Sequence, residues 1–300
     1  MLESELAAHI RRNVASSLSE DIYTGDLSAQ LLPEALISTA QVSTRQPGVL
    51  CGTQWFDECL LTQDPNCVIT WLVKDGDRIS AGQVLCGIQG HARALLSAER
   101  SALNFLQTLS GTATRTRLYV DAVAGINVKI MDTRKTLPGL RHAQKYAVRT
   151  GGGHNQRVGL FDGILLKENH IAAAGGIQPV LAQAFRLAPP GISVQIEVEN
   201  LAQLDEALQA GAKLILLDNF DLDDLRAAVQ YTGKRAELEA SGGITIENLR
   251  AVALTGVDRI SIGALTKDVR TLDLSMRFTT PPSLPNPALG REQGGVNASP

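Results

Sequence analysis

The second half of the chain alternates short apolar runs with longer amphipathic stretches. The apolar runs begin near residues 128, 163, 194, 213, 236 and 259. The helical patterns that separate them cover 143–150, 178–188, 201–210, 221–230 and 245–254. Regular alternation of strand and helix is typical of a parallel sheet, so this half is predicted to be α/β. Six runs at this spacing favour an incomplete β/α barrel over an open doubly wound sheet.

The first third of the chain shows no such repeat. Its hydrophobic spacing predicts an amphipathic helix over 3–19, and alternating β-branched residues predict a strand, a turn and a strand over 35–52. Residues 70–90 have the pattern of two short strands around the turn at Asp75-Gly76. A long helix is predicted to follow over 92–123.

Each apolar run of the second half ends in charged residues or glycine. These ends are Asp132–Lys135, Lys167–His170, Glu197 with Glu199, Asp218 with Asn219, Ser241–Gly243, and Gly263. In a parallel β/α barrel, the C-terminal strand ends and the loops after them form the active face. We therefore expect residues that are scattered over the second half of the chain to converge on one mouth.

Composition narrows the class of protein. The chain has 300 residues, of which 44% are hydrophobic and 20% charged, as in a globular protein. No apolar run approaches the roughly 20 residues that span a bilayer, and the N-terminus lacks the apolar core of a secretory signal. The overall charge of −3 argues against a nucleic-acid coat. We expect a cytoplasmic protein that binds neither membranes nor nucleic acid.

The four cysteines all lie in the first third, at positions 51, 59, 67 and 86. Their spacing is not that of a zinc site. In a reducing compartment, free buried thiols are expected.

Positive charge is concentrated in residues 131–157, which carry six lysine or arginine side chains against one acid, Asp132. An anionic small molecule, a nucleic acid or a solvated face would each account for it. Arg141, Lys145 and Arg149 follow a helical spacing and are equally suited to a solvated or interface face.

The remaining cations suit a ligand with several negative charges. Arg134, Lys135, Arg157 and Lys167 fall at predicted strand ends or in the glycine-rich loop that follows the first of them. Arginine offers a planar fork to carboxylate or phosphate, whereas lysine offers a point charge. Carboxylates at adjacent strand ends, Glu199 and Asp218, suggest Mg²⁺ held jointly with phosphate oxygens.

A phosphate site is predicted at the last two strand ends. Ser241, Gly242 and Gly243 precede a helix, and Gly263 follows the next strand. Exposed backbone N–H groups in this position are the usual phosphate site of a β/α barrel.

Several of these residues also have ordinary structural interpretations. Glu197 and Glu199 point the same way along one strand. One of them is expected to belong to the site and the other to be charge-paired inside the barrel, and the sequence does not distinguish the two. Asp218 is suited to cap the helix at 221–230. His154 and His170 are expected to be structural rather than catalytic.

The chain also contains eight short motifs in a characteristic order and spacing. They are ERSALNFLQTLSG, DTRKTLPGLR, KYAVRTGGGHNQR, LLKENHI, EVEN, LLDNF, EASGGI and ISIGALT. Together they resemble the quinolinate phosphoribosyltransferase family, from residue 10 to about 280. The resemblance implies an N-terminal open-faced α/β sandwich plus an incomplete parallel β/α barrel of about six strands. We assign the sandwich to 1–115, with 270–287 packing back on it, and the barrel to 116–269; 288–300 is expected to be a mobile tail.

The resemblance also implies an activity. The family joins quinolinate to 5-phosphoribosyl 1-pyrophosphate (PRPP) with Mg²⁺, giving nicotinate mononucleotide, pyrophosphate and CO₂ in NAD biosynthesis. It acts as a homodimer in which one subunit's sandwich covers the other's barrel mouth, and assembly beyond the dimer stays open.

Site roles follow from the same resemblance. Quinolinate would be bound by Arg134, Gln156, Arg157 and Lys167, with Arg100 from the neighbouring subunit. PRPP would be bound by Lys135, Lys167, Glu199, Asp218, Ser241, Gly242, Gly243 and Gly263. Glu199 and Asp218 would hold the Mg²⁺ that is shared with PRPP.

One position departs from the family pattern. Many members have histidine just before the arginine of the triple-glycine loop, where this chain has Gln156 and carries His154 two residues earlier. An amide still donates a hydrogen bond but carries no charge. We therefore expect weaker and less pH-dependent quinolinate binding.

Two other functions stay open at this point. A related phosphoribosyltransferase specific for nicotinate would leave one or more carboxylate-binding cations unpaired in a covered pocket. A non-catalytic phosphosugar-binding barrel would have no need of a metal site.

Overall fold

The computed structural model describes residues 3–279, so the predicted tail at 288–300 lies outside the described residues. Its strands are β1 Ile37–Thr44, β2 Gly48–Val49, β3 Val68–Trp71, β4 Arg78–Ile79, β5 Val84–His91, β6 Lys129–Met131, β7 Ile164–Leu166, β8 Val194–Val198, β9 Leu214–Asp218, β10 Glu237–Ser241, β11 Arg259–Ser261 and β12 Leu274–Thr279. Its helices are α1 Glu3–Ile22, α2 Thr53–Gln63, α3 Ala92–Ala122, α4 Arg141–Thr150, α5 Glu168–Ala174, α6 Ile177–Leu187, α7 Leu201–Gln209, α8 Leu222–Thr232, α9 Ile246–Ala253 and α10 Ala264–Lys267. A short 3-10 helix covers Ala29–Leu31.

Six strands form one parallel sheet, in the order β6-β11-β10-β9-β8-β7. The apolar runs predicted all six, so the parallel β/α half is confirmed. The two outer strands, β6 and β7, are consecutive in the chain. His154 forms a further parallel bridge to Met131 beyond β6, so the glycine-rich loop extends this edge of the sheet.

Strands β8 and β10 of this sheet have one apolar and one polar face. Ile196 and Val198 of β8 belong to the core shared with the helices, whereas Gln195 and Glu197, which alternate with them, face the other way. Strand β10 repeats the pattern, with Leu238 in the core. Polar side chains of β8 and β10 therefore face the barrel interior, and Leu216 of β9, which lies between them, shares that face.

A four-stranded antiparallel sheet, in the order β12-β1-β5-β3, makes up most of the N-terminal part. Helices α1 to α3 pack with it in one hydrophobic core. The α/β fold class with a mixed N-terminal layer is thus confirmed, while the boundaries at 115 and 269 stay predictions.

The sequence prediction was wrong in detail over 70–90. The region holds β4 and β5 with the end of β3, and β4 pairs with β2 in a separate two-stranded ribbon. Helix α5, between β7 and α6, was also missed. Both elements are short, and a strand of two residues or a helix of seven carries almost no periodicity.

The cysteine prediction is confirmed, since Cys51, Cys59, Cys67 and Cys86 are all free and buried. Among the helices of residues 3–279, none combines the length and the apolar character that a bilayer span requires.

Candidate functional site

The C-terminal ends of the parallel strands surround a cleft of about 640 Å³. Six residues predicted to bind PRPP line it: Lys135, Asp218, Ser241, Gly242, Gly243 and Gly263. They come from four strand ends that are brought together because all the strands of the sheet run in parallel. Thr133 and Asn219, which lie at predicted strand ends but were given no role, also line the cleft, as does Lys267, to which the sequence did not point.

The glycines of this cleft have backbone conformations that other residues rarely adopt. Gly242 has φ +95° and Gly243 has φ +59°. A Cβ on Gly242 would lie 2.1 Å from Oδ1 of Asn219, so a side chain has no room there. The pair leads directly into Thr245, the N-cap residue of α9. Backbone N–H groups at such a turn and helix N-terminus suit a phosphate.

Two carboxylates end the neighbouring strands β8 and β9. Glu199 and Asp218 directly follow Val198 and Leu217, which face each other in the parallel register. Glu199 is exposed and Asp218 is half-buried, and the latter accepts a 2.8 Å hydrogen bond from the side-chain amide of Asn219. The capping role considered for Asp218 is wrong, because the α8 N-cap is Asp221.

Glu197 is the charge-paired member of the two glutamates on β8. Its carboxylate lies 2.6 Å from Nζ of Lys167, and its side chain is 11% exposed. Lys167 itself is 43% exposed, so its ammonium remains accessible to a ligand.

Two arginines form a cationic cluster beside β6 and β7. Arg157 donates to the carbonyl of Gly163 at 3.0 Å. Burial, and then the positive charge of Arg134, lower the pKa of Arg157. Nε of Arg134 is buried without a hydrogen-bond partner. An anion at this position would relieve both the repulsion and the unpaired donor.

A buried ion pair joins the chain segments that carry the two arginines. Nζ of Lys145 lies 2.6 Å from Asp132, and the two side chains are 1% and 0% exposed. Burial raises the pKa of Asp132 and lowers that of Lys145, while their attraction opposes both shifts. Asp132 also accepts from the backbone N–H of Gln156 and from the side chain of Asn155. The proposed surface role for Lys145 is therefore wrong, because its helical spacing does not reveal a partner elsewhere in the chain.

Gln156 belongs to a buried polar network inside the barrel. Its side-chain N–H groups point to Glu239 and to Oε1 of Gln195. Gln195 donates to the same carboxylate at 3.0 Å. Glu239 is fully buried, and this burial raises its pKa. The amide N–H groups of Gln156 are thus engaged, contrary to the expectation that they donate to a quinolinate carboxylate.

The triple glycine serves packing rather than phosphate binding. A Cβ on Gly151 would lie 2.4 Å from the backbone oxygen of Ala113 in α3, and one on Gly153 would lie 2.8 Å from Thr116. Gly152 has φ +89°. The glycines let the loop lie against α3, which fixes the start of the segment that carries Arg157.

Arg100 lies on α3 and is exposed. It does not line the cleft, and none of the hydrogen bonds found within residues 3–279 links it to the barrel mouth. His170 has the structural role expected of it, because its Nδ1 accepts from the N–H of Lys167 at the start of α5. His154 is exposed and its backbone bridges to β6.

Comparison with known proteins supplies the family. The model for the quinolinate phosphoribosyl transferase C-terminal domain matches residues 112–277, and that for the N-terminal domain matches 21–110. The probable nicotinate-nucleotide pyrophosphorylase [carboxylating] of Bacillus subtilis (strain 168) is 44% identical over 260 residues, which is 87% of this chain and 90% of the relative. The nicotinate-nucleotide pyrophosphorylase [carboxylating] of Mycobacterium leprae (strain TN) is 44% identical over 276 residues, which is 89% of this chain and 96% of the relative.

A solved structure agrees with this result. The nicotinate-nucleotide pyrophosphorylase from Francisella tularensis superposes with a TM-score of 0.88 at 44% identity, over 91% of this chain and 97% of that one. The chain therefore belongs to the quinolinate phosphoribosyltransferase family.

Proposed function

We propose that this protein transfers the phosphoribosyl group of PRPP to quinolinate with loss of CO₂, giving nicotinate mononucleotide and pyrophosphate for NAD biosynthesis. The observation that carries the proposal is that a glycine-lined cleft and a cationic cluster both lie at the C-terminal ends of the strands of one parallel sheet. The cleft suits a phosphorylated sugar, and the cluster suits a ligand with more than one carboxylate.

The cleft supports a role in PRPP binding for Lys135, Ser241, Gly242, Gly243 and Gly263. A Cβ on Gly263 would lie 3.3 Å from Cδ of Lys135, so the glycine leaves the lysine room beside the cleft. Lysine supplies a mobile positive charge to phosphate oxygens, and the backbone of the glycine turn supplies N–H donors.

The dicarboxylate is proposed to bind Arg134, Arg157 and Lys167. Because Arg134 and Arg157 already repel each other, a monocarboxylate would neutralise the cluster incompletely. This favours quinolinate over nicotinate.

Mg²⁺ is proposed to be held by Glu199 and Asp218 together with PRPP. Within residues 3–279, no group of three or more His, Cys, Asp and Glu side chains is arranged to hold a metal ion. Two carboxylates on adjacent strands fit an ion that takes its other ligands from phosphate and water. When bound, Mg²⁺ neutralises charge on the departing pyrophosphate.

The chain's own groups would act mainly by position and charge. As pyrophosphate leaves, positive charge grows on the ribose ring, where Glu199 and Asp218 would stabilise it. The arginines hold the pyridine so that its nitrogen can attack the ribose carbon. Loss of the carboxylate next to the nitrogen as CO₂ would then leave its bonding electrons on the ring carbon beside the positively charged nitrogen. That carbon would take a proton from water to give nicotinate mononucleotide.

A homodimer is proposed because Arg100 does not line the cleft of its own subunit. In addition, Leu160 and Phe161, in the loop after Arg157, are 75% and 76% exposed. A neighbouring subunit that brings Arg100 would cover them. Assembly beyond the dimer stays an open expectation. The four unpaired thiols support a reducing compartment, and we propose the cytoplasm.

One assay tests the proposed function against both alternatives. The purified protein is mixed with PRPP, Mg²⁺ and either quinolinate or nicotinate, and nicotinate mononucleotide and CO₂ are measured. We expect both products with quinolinate and none with nicotinate. Product from nicotinate alone would identify the nicotinate-specific enzyme, and PRPP binding without product would identify a non-catalytic barrel.

A further inference from the structure

Helix α4 is hydrogen-bonded to the two segments that carry Arg134 and Arg157. It begins at Arg141, directly after the loop that carries Arg134 and Lys135. Arg141 and Lys145 lie four residues apart, on the same helix face. The donors of both side chains are directed to other groups of the protein.

Arg141 links the segments that carry the two ligand-binding arginines. One of its terminal nitrogens donates to the backbone carbonyl of Arg134 at 3.3 Å, and the other donates to that of Val158 at 3.2 Å. Its Nε donates to the hydroxyl of Thr136 at 3.2 Å. The planar fork of a guanidinium can reach two carbonyls in fixed directions, which a lysine ammonium cannot reproduce.

Lys145 makes a second link one helical turn further on. It donates to Asp132 at 2.6 Å and to the backbone carbonyl of Gln156 at 2.8 Å. The residue before Arg157 and the strand end before Arg134 are therefore joined through one ammonium. Gln144, between the two cations, donates to the carbonyl of Thr266 and accepts from the N–H of Leu137.

We propose that Arg141 is a positioning residue for the reaction: it fixes the spacing of the Arg134 and Arg157 guanidiniums by binding the backbone of both segments, with Lys145 as the second support. Arg134 and Arg157 repel each other, and Asp162 attracts Arg157. Neither arginine forms an ion pair within the described part of the chain, so we infer that the backbone holds their separation. This inference rests on the proposed function, because the dicarboxylate is the ligand that the spacing would serve.

The test compares Arg141→Ala and Arg141→Lys with wild type, and uses Arg149→Ala as a control. Arg149 lies on the same helix but is exposed. We expect both Arg141 variants to raise the quinolinate KM by about tenfold or more, because small misplacement of a binding group is costly, with a smaller change in the PRPP KM. Arg149→Ala should leave both constants unchanged. Added guanidinium should partly restore Arg141→Ala but not Arg141→Lys.

Two results would overturn the proposal. If Arg141→Lys keeps wild-type quinolinate affinity, Arg141 acts as a charge near the ligand and not as a fork between carbonyls. If folded Arg141→Ala keeps the wild-type KM, the link has no role in binding. Thermal unfolding establishes folding, and Arg141→Lys decides the matter if the alanine variant does not fold.

A binding readout separates this inference from the proposed activity. Benzene-1,2-dicarboxylate carries both carboxylates of quinolinate but no ring nitrogen, so it cannot react. Its affinity, measured by calorimetry, should fall by about tenfold in both Arg141 variants. If wild type binds it but makes no nicotinate mononucleotide, the proposed function fails while the positioning role is still tested.

Discussion

Gln156 directs its amide N–H groups to Glu239 and Gln195. The family pattern described above has a histidine, with a titratable ring, at this position. An imidazole at this position would lie beside a buried carboxylate, which favours its protonated form. The glutamine thus removes a pH-dependent charge from the mouth.

We expect Gln156→His to make quinolinate binding depend on pH. In the variant, the quinolinate KM should be several-fold lower at pH 6 than at pH 8, because the protonated ring adds a cation next to Arg157. Wild type should show a smaller change over the same interval, and the PRPP KM serves as the internal control. A variant KM that is equal at pH 6 and pH 8 contradicts this interpretation.

Asp57 provides a test of stability away from the site. Burial raises the pKa of Asp57 to about 6, although the indole N–H of Trp71 donates to it at 2.9 Å. The pKa of Asp57 is therefore higher in the folded protein than in the unfolded chain. As the pH rises from about 4 to 6, the unfolded chain loses this proton before the folded protein does, so the free energy of unfolding falls.

Asp57→Asn should therefore be more stable than wild type at pH 7 to 8, by roughly 1–2 kcal/mol after allowing for partial exposure. The difference should vanish only below about pH 3, where Asp57 is protonated in both states. Urea unfolding at several pH values measures it. A difference that grows toward acidic pH would have the wrong sign.

At the scale of elements, the turn between β10 and α9 contains two glycines, Gly242 and Gly243, whose positive φ values other residues rarely adopt. Gly242 combines a left-handed φ with the close approach of Asn219. Gly82 also has a left-handed φ, of +80°, but a Cβ there would meet no atom within 4 Å. An alanine at Gly82 would therefore cause backbone strain alone, whereas an alanine at Gly242 would cause both strain and a steric clash.

Gly242→Ala should raise the PRPP KM by at least about tenfold, because the turn must shift to accept the methyl group. Gly82→Ala should cost about 1 kcal/mol of stability without changing the PRPP KM. Steady-state kinetics and urea unfolding of both variants provide the comparison. Equal effects on KM would mean that the Gly242 backbone does not shape the PRPP site.

The sequence predicted the two longest helices, α1 and α3, and the repeated β/α elements, but it missed α2. Six apolar runs identified six parallel strands, and the polar strand ends identified most of the cleft. The buried polar contacts behind the site, such as the ion pair of Lys145 with Asp132, were not predicted. Lys145 appears as one more cation on a helix, because its partner Asp132 belongs to another element. Gln195 and Glu239 did leave a signal, since polar residues at every second position of a buried strand indicate a polar barrel interior.

At the scale of the whole molecule, the proposed dimer predicts that each site combines residues of two chains. Arg157 would come from one subunit and Arg100 from the other. Arg100→Ala and Arg157→Ala should each lose most activity alone. A mixed dimer of the two would retain one intact site.

Mixing the two variants, with dissociation and reassociation, should therefore restore about a quarter of wild-type activity, because half of the dimers are mixed and each has one working site of two. Each variant treated alone is the control. If mixing restores nothing while both variants dimerise, Arg100 does not serve the neighbouring site.

The pairing of β1 with β12 joins Thr39 to Thr279, so one edge of β1 is covered by the last strand of the described residues. During synthesis on the ribosome, β1 emerges long before its partner, and the whole barrel must be translated before that edge is covered. An uncovered strand edge is a template for aggregation. Nascent chains halted inside the barrel should hence depend on chaperones, even though their N-terminal core is already complete in every other strand.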